Sequence, residues 1–410
     1  MFRKMMFALC ILVGGSLLGG GLAFAREGLP TWEVAFDPGP RMPEPYYFVH
    51  AVEEYKGDLY TVVGDPLWFG DEWRESAGQV FRSPDGRNWE PATDIGFGLG
   101  TVEDACGVNS YDTSWDMVVF QNKLYLLPQD ICYLRPGVIL RSSDGANWQS
   151  VTTTEELGIT WSDGELDYFA QFRKITVFKG KLYANLDYFD PETEFTGSAI
   201  FSSPSGDPGS WEQAMDFPGW LYPGNFYVFK GALYVGSGGV VAHPDWEGLP
   251  EQIWRTFDGE NWEMVVADGL GNPPGVGWGG FADYKGYLYV GVGTIDTSLG
   301  LVGQLWRSQD GMQWEQIDIS SLLGPNDVKV DGGFVYQGKL YIYTVNYVDG
   351  GSVYRTKDAK TWEPVNEPGW GNPTWLTTHL DSDQVVFKDD LYMGVVGPQG
   401  ILLKMVHPDK

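Results

Sequence analysis

The chain has 410 residues, 27 of them basic and 55 acidic, for a net charge of −28. That balance excludes a nucleic-acid partner, which needs a basic face, and electrostatic docking on anionic lipid. At 43% apolar and 15% aromatic it can bury a sizeable core, and its 55 glycines and 18 tryptophans point to many short strands and tight turns.

Arg3 and Lys4 precede an apolar, glycine-interrupted run from Met5 to Leu22, and Ala23-Phe24-Ala25 follows it. This is the pattern of a secretory signal peptide cut before Arg26. Residues 1–25 are therefore read as the signal and 26–410 as a single domain, secreted or periplasmic. A retained membrane anchor is the alternative.

A short motif, aromatic, two turn residues, any residue and Leu-Tyr, then recurs seven times, ending at Tyr60, Tyr125, Tyr183, Tyr234, Tyr289, Tyr341 and Tyr392. Each copy reads as strand, Lys-Gly-type hairpin turn, strand. A second motif, Ser/Thr-x-Asp-Gly/Ala-x-x-Trp, follows five of them with Asp85, Asp144, Asp258, Asp310 and Asp358; the copy at Ser203–Trp211 is longer and has Ser205 instead. Alternating residues before it and the Trp after it add a third and a fourth strand. A repeat of about 50 residues with four antiparallel strands predicts an all-β fold, a seven-bladed β-propeller. The seventh repeat lacks its Trp strand, and Thr31-Trp32-Glu33-Val34 matches Thr361-Trp362-Glu363-Pro364. The N-terminal strand is thus expected to complete the last blade and close the ring, removing the open sheet edges.

The Ser-x-Asp-Gly-x-x-Trp turns resemble the Asp-box, or bacterial neuraminidase repeat, of sialidase-like propellers, in a form one residue shorter between Asp and Trp. The resemblance covers nearly the whole mature chain and implies a structural role for the box. Its Asp and Ser bond nearby amides, and its Trp packs between sheets.

One face of such a propeller carries only tight turns, and the other receives long segments, among them 64–78, 91–114 and 366–382. Nine tryptophans (Trp68, Trp73, Trp115, Trp161, Trp220, Trp246, Trp278, Trp370 and Trp375) fall on or near that face. Flat rings beside polar groups suit sugar faces, and packing inside the loops is the competing explanation. Cys106 and Cys132 rise from this face in one blade and are expected to form a disulfide.

Aligning the first strands places His50, Trp115, Arg173 and Asp331 around the channel mouth, with Asp116, Lys174 and Asp383 one step further in and Asp65 and Asp187 beside them. The candidate ligand-binding set is Asp65, Trp68, Trp115, Asp116, Arg173, Lys174, Trp278, Asp331 and Asp383; the weak catalytic candidates are Asp116, Asp187, Asp383 and Arg173. An aspartate ring could hold a hard cation such as Ca²⁺, but no Asp-x-Asp-x-Asp loop accompanies it, and no cofactor is expected. Sialidase chemistry needs an arginine cluster, for which Arg74, Arg135 and Arg173 lie on the right face, but the Phe-Arg-Ile-Pro segment of sialidases is absent. The expected function is binding of a glycan or other extracellular polymer on the long-loop face without catalysis. The alternatives are a sialidase-like glycoside hydrolase or lyase, and a protein-interaction scaffold.

Overall fold

A computed structural model of the protein describes residues 23–24, 29–39, 48–64, 78–100, 102–104, 107–109, 111–130, 133–162, 167–190, 195–217, 221–239, 250–274, 276–294, 300, 302–377, 384–397 and 400–406. Cys106, Cys132, the rest of the signal segment, Asp65, Trp68, Trp73, Arg74, Trp220, Trp246 and Asp383 lie outside the described residues.

The described chain is almost entirely strand, in consecutive antiparallel sheets that follow chain order. Sheet 1 is Phe48–Tyr55, Asp58–Gly64, Gln79–Ser83 and Glu90–Pro91. Sheet 2 is Thr113–Phe120, Lys123–Gln129, Val138–Ser142 and Trp148–Thr153. Sheet 3 is Gln171–Phe178, Lys181–Asp190, Phe195–Ser203 and Glu212–Asp216, and sheet 4 is Leu221–Phe229, Ala232–Gly239, Gln252–Thr256 and Trp262–Val266. Sheet 5 (Gly277–Tyr284, Tyr287–Gly293, Gln304–Ser308, Trp314–Ile317) meets sheet 6 (Lys329–Tyr336, Lys339–Val345, Ser352–Thr356, Trp362–Pro364) through one bridge, Gly293 opposite Lys329. In sheet 7, Gln384–Phe387, Asp390–Val396 and Ile401–Val406 are joined by Thr31–Phe36 from the other end of the chain. There Trp32 lies opposite Met405 and Glu33 opposite Lys404.

Apolar residues recur on both faces of the second strands, so that Leu59, Tyr60, Val62 and Val63 are all buried. The core accordingly sits between sheets. One cluster joins sheets 2 and 3 through Phe120, Leu127, Phe172 and Ala184; another joins sheets 6 and 7 through Tyr341, Val353, Leu403 and Trp32. Sheets 7 and 1 share Leu402, Tyr392, Leu59 and Phe81.

Polar contacts repeat at the same interfaces. The residue after each first-strand aromatic has positive φ, from 46° at Gln121 to 53° at Lys56, as a type I′ hairpin requires. In six of the seven its side chain then reaches a backbone carbonyl in a box turn of the adjoining sheet, whereas Gln337 donates to the Tyr336 hydroxyl beside it. Lys56 bonds Ser143, Gln121 bonds Pro204, Lys179 bonds Phe257, Lys230 bonds Gln309, Lys285 bonds Lys357, and Lys388 of sheet 7 bonds Pro84 of sheet 1. In the box itself, Asp144 Oδ1 accepts the backbone N–H groups of Ala146 and Asn147 at 2.9 and 2.8 Å, while Ser142 Oγ accepts that of Gly145 at 2.8 Å. These amide hydrogen bonds hold the box carboxylates well below the usual carboxylate range at Asp85, Asp144 and Asp358; at Asp258 the Asn261 side chain leads.

Sheet 2 departs from the pattern and shows why it holds elsewhere. Arg82, Arg255, Arg307 and Arg355 each pair with a glutamate on the adjacent fourth strand, but Arg141 faces Gln149. It crosses instead to Asp207 at 2.6 Å in sheet 3, whose turn has Ser205 where the box aspartate stands elsewhere.

Gly145 has φ +78°, and a Cβ there would lie 1.9 Å from the Tyr60 hydroxyl of the preceding sheet. Gly57 has φ +85° with nothing within 4 Å. Gly57→Ala is therefore expected to cost about 1 kcal/mol in urea unfolding from backbone strain alone, and Gly145→Ala about 2 kcal/mol or more. Ala359 occupies the equivalent box position at φ 57°. Ala359→Gly is expected to be neutral or stabilising by up to about 1 kcal/mol in the same assay.

Candidate functional site

The first strand of each sheet lies innermost, and in sheets 1 to 6 it breaks register with its neighbour at one place. The breaks fall between His50 and Val52, Phe172 and Lys174, Pro223 and Phe226, Trp278 and Phe281, and Val330 and Gly332; in sheet 2 the partner strand shifts between Leu126 and Pro128. A β-bulge re-aims side chains and is common beside functional sites. The residues it displaces include Ala51 and four that sequence alignment places at the mouth, Trp115, Asp116, Arg173 and Asp331. Ala51 adopts φ 46° to make its bulge.

Arg173 is buried and bound on every side. Its Nε donates to Asp187 Oδ1 at 2.5 Å, its two terminal nitrogens donate to Gln129 Oε1 at 2.7 Å and to Asp187 Oδ2 at 3.0 Å, and Tyr133 Oη accepts from it at 2.5 Å. Tyr133 in turn donates to Asp187 Oδ2 at 2.6 Å. Asp187 has no exposed surface, so this bidentate pair satisfies a charge that would otherwise be costly to bury. The guanidinium also lies 5.1 Å from the centre of the Trp115 ring, and His50 stacks with Trp115 at 6.1 Å and 25°. Trp115 is therefore held between cation and imidazole, a partner of the framework.

The other candidates divide clearly. Asp116 Oδ2 accepts the Ile175 backbone N–H at 2.9 Å, and Lys174 Nζ donates to the Trp115 carbonyl at 3.2 Å. These two bonds tie the inner strands of sheets 2 and 3 together. Asp331, on the far side, is fully buried with Lys329 Nζ at 2.5 Å. Trp278 is buried, with its indole N–H donated to the Gln252 carbonyl at 2.9 Å, and Trp370 is buried edge-on to Trp32. Both pack as core. Arg135 lies against Tyr111, its guanidinium 5.6 Å from the ring centre. Among the described residues no group of three or more His, Cys, Asp or Glu side chains could hold a metal ion, and no helix is long and apolar enough to cross a membrane.

Glu53 stands out in the structure and was missed in the sequence. Burial, followed by the charge of Asp116 on the neighbouring inner strand, pushes its carboxyl up to about 7. Its signal was available. Two residues before the closing aromatic, the other inner strands carry Val118, Thr176, Tyr227, Ala282, Phe334 and Val385, none of them charged.

No protein-family model matches the chain, and no curated protein matches it. Solved structures do. The β-propeller domain of the trilobed protease from Pyrococcus furiosus, which has an open velcro topology, aligns with a TM-score of 0.50 at 8% identity, covering 88% of this chain and 95% of that one. Pyrococcus horikoshii acylaminoacyl peptidase aligns with a TM-score of 0.50 at 9% identity over 88% of this chain, which spans 51% of that longer protein. Trypanosoma rangeli sialidase aligns at 0.47 and 12% identity, over 78% of this chain and 54% of that one. The fold is a β-propeller, all-β and built of four-stranded antiparallel sheets.

Two stability tests follow. Asp187→Asn leaves Arg173 buried without its counter-ion and is expected to cost about 3–5 kcal/mol in denaturant unfolding, against at most about 1 kcal/mol for Glu90→Gln in the solvent-facing Arg82 pair. Glu53 titrates at a higher pH folded than unfolded, so the stability it contributes is complete below about pH 4.5 and lost as pH rises towards 7. Glu53→Gln should match the parent protein in thermal unfolding near pH 4.5 and exceed it by about 3 kcal/mol at pH 8.

Proposed function

We propose that the protein is a secreted, carbohydrate-active propeller that takes an extracellular glycan at its channel mouth and cleaves it with Glu53 and Asp116. The observation that carries this is Glu53, a carboxyl pushed up to about 7 by burial and by a second carboxylate, so that it still holds its proton in part at neutral pH. Glycoside cleavage uses such a pair. Glu53 donates its proton to the departing glycosidic oxygen. Asp116, fixed by the Ile175 amide, faces the positive charge that develops on the sugar or draws a proton from the attacking water. The architecture proposed with it is a seven-bladed ring closed by the N-terminal strand, supported by the pairing of Thr31–Phe36 with Ile401–Val406 and by the Lys388 bond to Pro84. Secretion rests on the signal-like N-terminus, and the acidity of the chain favours a neutral glycan over an anionic one.

A second reading, recognition without cleavage, is favoured by Arg173, whose donors are already engaged by Asp187, Gln129 and Tyr133. It makes the mouth a rigid receptor, with Trp115 at its rim.

Incubating the mature protein with a panel of neutral polysaccharides and chromogenic glycosides separates the two. Turnover is expected to fall at least 100-fold in Glu53→Gln and Asp116→Asn and to be unchanged in Glu90→Gln. It should decline about tenfold per pH unit above pH 7, as Glu53 loses its proton. Retention of a glycan with no turnover in the parent protein would replace cleavage by the second reading.

A further inference from the structure

Sheet 3 has a hollow that its neighbours fill. Four residues before the box Ser or Thr, sheets 1, 4 and 5 carry Gln79, Gln252 and Gln304. Gln79 Nε2 donates to the Thr93 carbonyl at 2.7 Å, and the Oε1 atoms of Gln252 and Gln304 accept the indole N–H groups of Trp254 and Trp306 at 2.9 and 2.8 Å. Sheet 3 has Ala199 at this position and Phe201 where those tryptophans stand. An open cavity of about 320 Å³ lies there, with Ala199 in its lining.

The walls of the cavity are fixed in place. On the second strand of sheet 3, Tyr188 lies opposite Gly197, where a Cβ would fall 2.0 Å from Tyr188 Cζ, so the ring lies across the glycine. Ile159 completes the apolar side from the connection after sheet 2. That connection is pinned by Thr153 and Glu156, each donating its N–H to the other's side chain at 3.1 Å, and by the Ile159 N–H to the Thr154 carbonyl at 3.0 Å. On the outermost strand of sheet 3, a bulge at Ala214 sets Gln213 opposite Phe201 and Asp216 opposite Ala199, which turns both side chains to one face. Thr160, Gln213 and Asp216 are exposed, and among the described residues no hydrogen bond engages their side chains.

We propose that this cavity is a second ligand site, outside the channel, that holds one ring of a neutral sugar. Its volume is near the lower end for ligand pockets and has room for a single pyranose. The Tyr188 ring and Ile159 offer an apolar surface to the C–H face of the sugar. A carboxylate, an amide and a hydroxyl supply the mixture of acceptors and donors that its hydroxyls need. Asp216 is the one charged group in the lining. It turns anionic ligands away, and a single exposed carboxylate holds an isolated cation only weakly. The assignment comes from the lining of the cavity and holds whatever the channel mouth binds or cleaves.

The test is an NMR titration of the ¹⁵N-labelled full mature protein with glucose, galactose, mannose, xylose and their β-linked disaccharides. It is followed at the Gln213 side-chain amide, whose resonance is assigned by its loss in Gln213→Ala. A saturable shift with at least one of these sugars is expected, in Glu53→Gln as in the parent protein. Asp216→Ala, at an exposed position, should raise the dissociation constant about tenfold or more. Ala199→Gln gives sheet 3 the side chain of sheets 4 and 5 and should abolish the shift. No saturable shift with any sugar, or an Asp216→Ala variant that binds like the parent, overturns the proposal. A shift lost in Glu53→Gln or Asp116→Asn would place the sugar at the channel mouth and overturn it equally. Glycan turnover without a shift at Gln213 would leave the hydrolase reading standing and sink this one.

Discussion

The structure depends on how each sheet is fastened to its neighbour. A hairpin residue is forced to positive φ, a conformation that costs a non-glycine residue on the order of 1 kcal/mol, and its long side chain offsets that cost by bonding a carbonyl in the adjoining box turn. The tyrosine of the Leu-Tyr motif closes over the same turn, so Tyr60 stands against Gly145, Tyr125 against Gly206 and Tyr392 against Gly86. Because donor and acceptor belong to different sheets, these bonds fasten each such sheet to the next and hold neighbouring inner strands at a fixed spacing.

That spacing makes the mouth possible. Burying Arg173, Asp187, Lys329 and Asp331 would be prohibitive one by one, yet each cation lies within hydrogen-bonding distance of a carboxylate. The bulges that displace these residues from the ladder recur at the same depth in six sheets, so the mouth is a property of the architecture and its chemistry a property of the few residues placed there. Glu53, partly buried, differs from these paired charges. Burial, and after it the charge of Asp116, raises its proton affinity.

Much of this was legible in the sequence. The Leu-Tyr and Trp motifs located the strands, their spacing gave sheets of four, and the match between Thr31-Trp32 and Thr361-Trp362 foretold where the N-terminal strand pairs. The alignment of first strands also brought Trp115, Asp116, Arg173 and Lys174 to one place. What the residues touch was not legible. Trp115 and Trp278 read as sugar platforms because an indole in a loop looks the same whether it faces solvent, a guanidinium or the Gln252 carbonyl. Arg173 read as a substrate clamp because its partner Asp187 lies across a bulge that no local pattern announces. Glu53 was overlooked because its significance lies in Asp116, 63 residues away on another sheet.

The proposed ring requires that the two ends of the chain be neighbours in one sheet. Glu33 and Lys404 are register partners across that junction, on Thr31–Phe36 and on Ile401–Val406 beside it. A Glu33→Cys, Lys404→Cys double variant, oxidised as a dilute monomer and weighed by mass spectrometry after proteolysis, tests this directly. An intramolecular disulfide linking the two peptides, with a raised unfolding midpoint, is the expected result. Cross-links found only between molecules, or none under conditions that oxidise a control pair, would contradict it.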